Sequence, residues 1–231
     1  MSCLIAACGV SPIVRIADNQ GYLVKSEFLG AKWSTTIDHI MIGALDAGAH
    51  GVLVPLLYTP EDARKLVTSA KFPPQGQRGF GSPFPMASFS AEMGAGEYLQ
   101  QANDVLLTIV QIETREALEH IDEIAAINGI DCLFVGPFDL GNNIGYPIID
   151  GVMHDELHAA IAKVLKAARS ANKKCGIFCT SGIQGKLYAD QGFDMISIAT
   201  DMHVLPAAII EALQKSKGLE AGPKFSGPYG K

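Results

Sequence analysis

The sequence has no CxxC pair, no GxGxxG fingerprint and no stripe of basic residues, and each absence removes a class of function. Its net charge of -6, with Lys and Arg scattered, argues against a nucleic-acid surface. No apolar stretch approaches the roughly 20 residues that a membrane span needs. Residues 1–10 lack the basic start and apolar length of a signal peptide, so the cytoplasm is the expected location. Five cysteines are an odd number, and Cys132, Cys175 and Cys179 fall in apolar runs, which fits reduced thiols better than a disulfide framework. Cys175 and Cys179 could share one face of a strand, yet no histidine or CxxC accompanies them as a soft-metal site would require. Aromatics are sparse at 7%, with one tryptophan, Trp33. What remains is small-molecule chemistry in a compact chain that is 48% hydrophobic.

One pattern recurs: a helical stretch, a glycine able to cap it, then a short buried strand. It occurs at Asp46-Ala-Gly-Ala-His-Gly-Val-Leu-Val-Pro55, at Asn128-Gly-Ile-Asp-Cys-Leu-Phe-Val-Gly-Pro137 and at Asp190-Gln-Gly-Phe-Asp-Met-Ile-Ser-Ile-Ala-Thr200. Strands are expected near 12–16, 51–55, 105–113, 131–136, 175–180 and 194–199. Helices are expected near 60–71, 92–103, 114–127, 154–172, 182–191 and 203–217. Alternating βα units imply an α/β fold, either a doubly wound sheet or a (β/α)8 barrel of the TIM type. Without a dinucleotide fingerprint the barrel is favoured, and since closure takes eight strands, an incomplete one of about six βα units is expected. Residues 1–217 read as a single domain and 218–231, rich in Gly, Pro and Lys, as a flexible tail. Residues 26–43 interrupt an otherwise continuous crossover helix and read as an insertion, either a functional loop or an error of gene modelling.

Two apolar runs end in acids: Val105-Leu-Leu-Thr-Ile-Val-Gln-Ile-Glu113 and Ile130-Asp-Cys-Leu-Phe-Val-Gly-Pro-Phe-Asp139. Runs this apolar read as parallel strands covered on both faces, which puts Glu113 and Asp139 at strand C-termini, where the βα loops form a common rim. Side chains alternate along a strand, so Gln111 faces the same way as Glu113. Arg15 closes Pro12-Ile-Val-Arg-Ile16, and its guanidinium could grip a carboxylate through two parallel hydrogen bonds. Two hard oxygen ligands, an amide and an arginine suit an anionic, oxygen-rich substrate on Mg²⁺ or Mn²⁺, with Co²⁺ as a further option. Each residue also has a plainer reading: Glu113 as a helix cap or a partner of Arg115, Asp139 as an N-cap, Arg15 as half of a rim salt bridge.

Phe72-Pro-Pro-Gln-Gly-Gln-Arg-Gly-Phe-Gly-Ser82, Gln111-Ile-Glu-Thr-Arg-Glu-Ala117 and Val135-Gly-Pro-Phe-Asp-Leu140 together resemble the HpcH/HpaI aldolase family, in its order and spacing, over residues 12 to about 215. The resemblance implies a metal-dependent (β/α)8 aldolase acting on pyruvate-type 2-oxo acids, with a 2-oxo acid and an aldehyde as its small-molecule partners. By the same resemblance Glu113 and Asp139 are the metal ligands and Gln111 is a site amide. Arg15 holds the 2-oxo oxygen as the catalytic and substrate-binding arginine, and the backbone around Phe138 holds the substrate carboxylate. Arg78 matches a family position and reads as a loop-ordering residue. Homo-oligomers are implied too, with residues 202–217 as a contact helix carrying an apolar stripe of Val204, Leu205, Ala208, Ile209, Ala212 and Leu213. Family members carry an Asp-x-Glu-His motif whose histidine is the general base, and this sequence has none. Two further readings therefore stand beside the lyase: a truncated or mis-spliced, catalytically impaired member that keeps metal or 2-oxo-acid binding, and a citrate-lyase-like enzyme using a CoA thioester.

Overall fold

A computed structural model describes residues 43–198 and 201–218 and the short strand at 13–15, with backbone alone at 13–15 and 201–203. Among these residues six parallel strands form one sheet in the order of the chain: β1 (Ile13–Arg15), β2 (Gly51–Val54), β3 (Leu107–Ile112), β4 (Cys132–Val135), β5 (Lys174–Phe178) and β6 (Met195–Ser197). Sequential parallel winding with helical crossovers is the pattern of a (β/α)8 barrel, here incomplete. The expected insertion at 26–43 and tail at 218–231 lie, but for Gly43 and Gly218, outside the described residues.

The helices are α1 (Pro60–Ala70), α2 (Pro85–Phe89), α3 (Ala95–Val105), α4 (Arg115–Glu119), α5 (Ile121–Ala125), α6 (Pro137–Ile144), α7 (Asp155–Ser170), α8 (Gly182–Gln191) and α9 (Asp201–Ser216). Four of these correct the sequence reading, at three places in the chain. The stretch 114–127 is two short helices, broken where His120 adopts φ -96° and ψ 20°. The helix expected from 92 begins at Ala95 and runs through Val105, so the strand that follows starts at Leu107. Residues 137–144, where no helix is expected, form one with Pro137 in its first turn and a left-handed Gly145, φ 90°, as its C-cap. The recurring cap glycines behave as their spacing predicts: Gly48, Gly129 and Gly192 have φ of 91°, 91° and 97°, a conformation that side chains resist.

The sheet's two faces differ. Thr108, Val110 and Ile112 of β3 alternate with Leu107, Ile109 and Gln111. The outer set, with Val52, Val54, Leu133, Val135 and Ile177, packs under the helices, and α7 covers β4 and β5 through Leu157, Ile161 and Val164. Each such side chain contributes about 1.5–3 kcal/mol when fully buried. On the inner face, among the described residues, the buried hydrophobic cluster is Ile109, Cys132 and Phe134, edged by Leu53, Leu107, Phe178 and Met195. The register aligns Gln111 with Phe134, and Phe134 with Gly176. Gly176 has no side chain because the Phe134 ring lies over it.

At the foot of the sheet, the N-terminal end of the strands, buried cations brace the crossovers. Lys71 donates to the carbonyls of Asn103 and Leu106 at 2.7 and 2.8 Å and lies 3.8 Å from the Asp131 carboxylate. Burial holds its ammonium below the usual lysine pKa, with Asp131 opposing that shift. Arg78, from the Pro-Pro-Gln-Gly-Gln-Arg-Gly loop, bonds Asp46 at 2.8 Å and stacks 4.5 Å over the Phe72 ring. It orders that loop, as the sequence reading has it.

Candidate active site at the C-terminal rim

The strand ends at the opposite rim carry the sequence-predicted residues. Glu113 follows β3 and is 1% exposed. Its Oε1 accepts the Leu56 backbone N–H at 2.7 Å, and its Oε2 accepts the Gln111 side-chain amide at 2.5 Å. Gln111, 6% exposed, shares a face with Glu113, as the strand alternation predicts, and bonds it as well. The plainer readings of Glu113 do not describe this geometry. Thr114 caps α4, its hydroxyl accepting from the Ala117 N–H, while Arg115 reaches the Asn143 carbonyl at 3.1 Å.

The turn after β2 is drawn over this carboxylate. Leu56 has φ 54°, a left-handed conformation uncommon for a branched aliphatic residue, and in it the N–H is aimed at Glu113. The next residue is fixed as well, because the Thr114 hydroxyl donates to the Leu57 carbonyl at 2.7 Å. Two consecutive residues of one loop thus bond two consecutive residues of the next.

Asp139 stands in the first turn of α6 as its third residue, not as its N-cap, a position held by Gly136. It is exposed and lines a cavity of about 450 Å³ together with Gln111, Phe138 and Ser197, whose apolar wall includes Phe134 and Phe178. Phe138 meets Phe178 edge-on at 6.4 Å between ring centres. A helix start of this kind offers backbone N–H groups and a positive dipole end to an anion. The β1 backbone pairs Arg15 with Leu53, another lining residue; the Arg15 side chain lies outside what is described.

The carboxylates, the amide and the cavity together are chemically suited to a hard divalent cation that keeps positions open for water and substrate. No group of three or more His, Cys, Asp or Glu side chains placed to hold a metal occurs among the described residues, so a cation here would rely on the two-carboxylate set. Among the described residues no histidine lines the cavity. His50 lies at the foot, stacked 4.1 Å from Phe89, and His154 is the N-cap of α7, accepting from the Glu156 N–H. Sequence reasoning missed Leu56 and the role of Gly136. Leucine carries no signal for a left-handed turn, and a glycine before a proline reads as a loop.

Burial pushes the Cys132 thiol up to about 12 and the Cys179 thiol up to about 11, away from the reactive thiolate form. None of the described helices is long and apolar enough to cross a membrane.

The family model for HpcH/HpaI aldolase/citrate lyase matches residues 3–208. A hydroxypyruvate/pyruvate aldolase of Rhizorhabdus wittichii is 39% identical over 176 residues, covering 76% of this chain and 68% of that protein. A 2-keto-3-deoxy-L-rhamnonate aldolase of Escherichia coli is 33% identical over 186 residues, 80% of this chain and 68% of the relative. The crystal structure of an HpcH/HpaI aldolase from Desulfitobacterium hafniense superposes with a TM-score of 0.76 at 26% identity, over 96% of this chain and 78% of that one.

Proposed function

The chain belongs to the HpcH/HpaI aldolase/citrate lyase family, and from that premise we propose that it is a divalent-metal-dependent carbon–carbon lyase acting on pyruvate-derived 2-oxo acids. The observation that carries the reading is the rim itself: a buried carboxylate held by Leu56 and by Gln111, the latter lining the same cavity as Asp139 at the start of α6. The names of the two relatives point the same way, since hydroxypyruvate, pyruvate and 2-keto-3-deoxy-L-rhamnonate are all 2-oxo acids.

In this reading Glu113 and Asp139 hold Mg²⁺, Mn²⁺ or Co²⁺, and Gln111 fixes the Glu113 carboxylate. When bound, the cation supplies a Lewis acid that draws electrons toward the 2-oxo oxygen as the carbon–carbon bond breaks. The first turn of α6, around Phe138, binds the substrate carboxylate through its N–H groups, and Arg15 binds the 2-oxo oxygen. Phe134 and Phe178 keep one wall of the cavity dry, which strengthens each of these interactions.

Because no histidine lines the described cavity, decarboxylation of oxaloacetate is favoured over aldol cleavage: loss of carbon dioxide needs no proton taken from a hydroxyl. Purified protein with Mg²⁺ or Mn²⁺ is expected to turn over oxaloacetate, and Glu113→Gln and Asp139→Asn are each expected to lower that rate by about 10²–10³-fold. Rates unaffected by either substitution would overturn the assignment. A homo-oligomer in the cytoplasm completes the proposal. Val204, Leu205, Ile209 and Leu213 of α9 are all exposed, an apolar stripe suited to a second copy, and sedimentation at micromolar concentration reads it.

A further inference from the structure

We propose that the Leu56 backbone N–H and the bare Cα of Gly136 are the positioning elements of the Glu113 carboxylate; the inference deepens the metal-site reading just given and rests on it for its functional consequence. Gly136 has φ -100° and ψ 88°, so negative φ puts no premium on glycine there. What the position demands is space. A Cβ at Gly136 would stand 2.7 Å from Glu113 Oε2 and 2.7 Å from Gln111 Nε2, and 3.3 Å from Glu113 Cβ. The first two are closer than carbon tolerates, and both belong to the ends of side chains. An added methyl group would therefore displace the carboxylate and its amide partner and leave the strand in place.

The opposite side of the carboxylate is set by a different device. Leu56 holds its N–H 2.7 Å from Oε1 in a left-handed conformation that costs free energy in a non-glycine residue, and the Thr114–Leu57 bond secures the neighbouring carbonyl. One oxygen is thus fixed by a donor in the β2–α1 turn, and the other has room to meet Gln111 because β4 ends in a glycine. Both carboxylate oxygens are therefore set by groups at neighbouring strand ends. Leu56 stands outside the cavity lining and Gly136 within it, and in this scheme both act through Glu113.

The test uses two variants and two readouts. Gly136→Ala adds the methyl group; replacement of Leu56 by its α-hydroxy analogue exchanges the N–H for an ester oxygen without altering the side chain. The ¹³C resonance of the Glu113 carboxyl carbon, assigned by its loss in Glu113→Gln, is followed in metal-free protein, and Mn²⁺ affinity is measured separately. Both variants are expected to move the resonance and to weaken Mn²⁺ by at least about tenfold, the range for groups that orient a metal ligand, with the melting temperature as a control for folding. A resonance that stays put in folded variants overturns the positioning role whatever the metal does. If it moves while wild type shows no Glu113-dependent Mn²⁺ binding, the positioning stands and the metal reading falls. Should Gly136→Ala fail to fold, the ester variant decides alone.

Discussion

The two ends of the sheet both bury charge, but they do so differently. At the foot, Arg78 meets Asp46 and Lys71 lies near Asp131, with carbonyls taking further donors of Lys71, so buried cations are matched to anions and helix ends. At the rim, the neutral Leu56 N–H and Gln111 amide grip Glu113, and Asp139 stands exposed on a cavity. Charge matched to charge braces a structure. Neutral donors orient a carboxylate without adding a countercharge of their own.

The sharpest way to break this contrast is at the rim, where Glu113→Gln and Asp139→Asn should cost about 10²–10³-fold in metal-dependent turnover while circular dichroism and melting change little. A collapse of the fold in both variants would make the rim a brace like the foot. The foot gives the reciprocal result. Arg78→Met leaves Asp46 unmatched and is expected to cost about 2–4 kcal/mol in urea unfolding, at the lower end because Asp46 is partly exposed, with unchanged turnover per folded molecule. The smallest effect serves as a reference from the sheet between them. Burial raises the folded-state pKa of Cys132 from 9.0 to about 12 and of Cys179 to about 11, so their contribution is complete below pH 9 and is lost as pH rises toward those values. Unfolding free energy should therefore fall above pH 9 by at most about 1.4 kcal/mol per pH unit per thiol, and Cys132→Val should flatten that slope.

The strands were legible because parallel strands covered on both faces leave apolar runs that helices of this length do not. β3, β4 and β5 fall within two or three residues of their expected bounds, and the cap glycines mark three of the strand entries. Helix α6 was not legible. A segment rich in Gly, Pro and Asn carries little helical signal, yet it folds as a helix in which Leu140 is buried and Gly141 admits the Tyr146 carbonyl and the Leu157 side chain. The shared face of Gln111 and Glu113 followed from the two-residue period of a strand. The pairing of Glu113 with Leu56 did not, since residues 57 apart in sequence meet only once β2 and β3 are side by side.

The Leu56 amide hydrogen has a use beyond geometry. Pointed at a buried oxygen instead of at water, it exchanges with solvent only when the turn lifts away from Glu113, and the Thr114–Leu57 bond obliges two loops to lift together. Deuterium uptake at this single amide is therefore a clock for rim opening that runs with no substrate present.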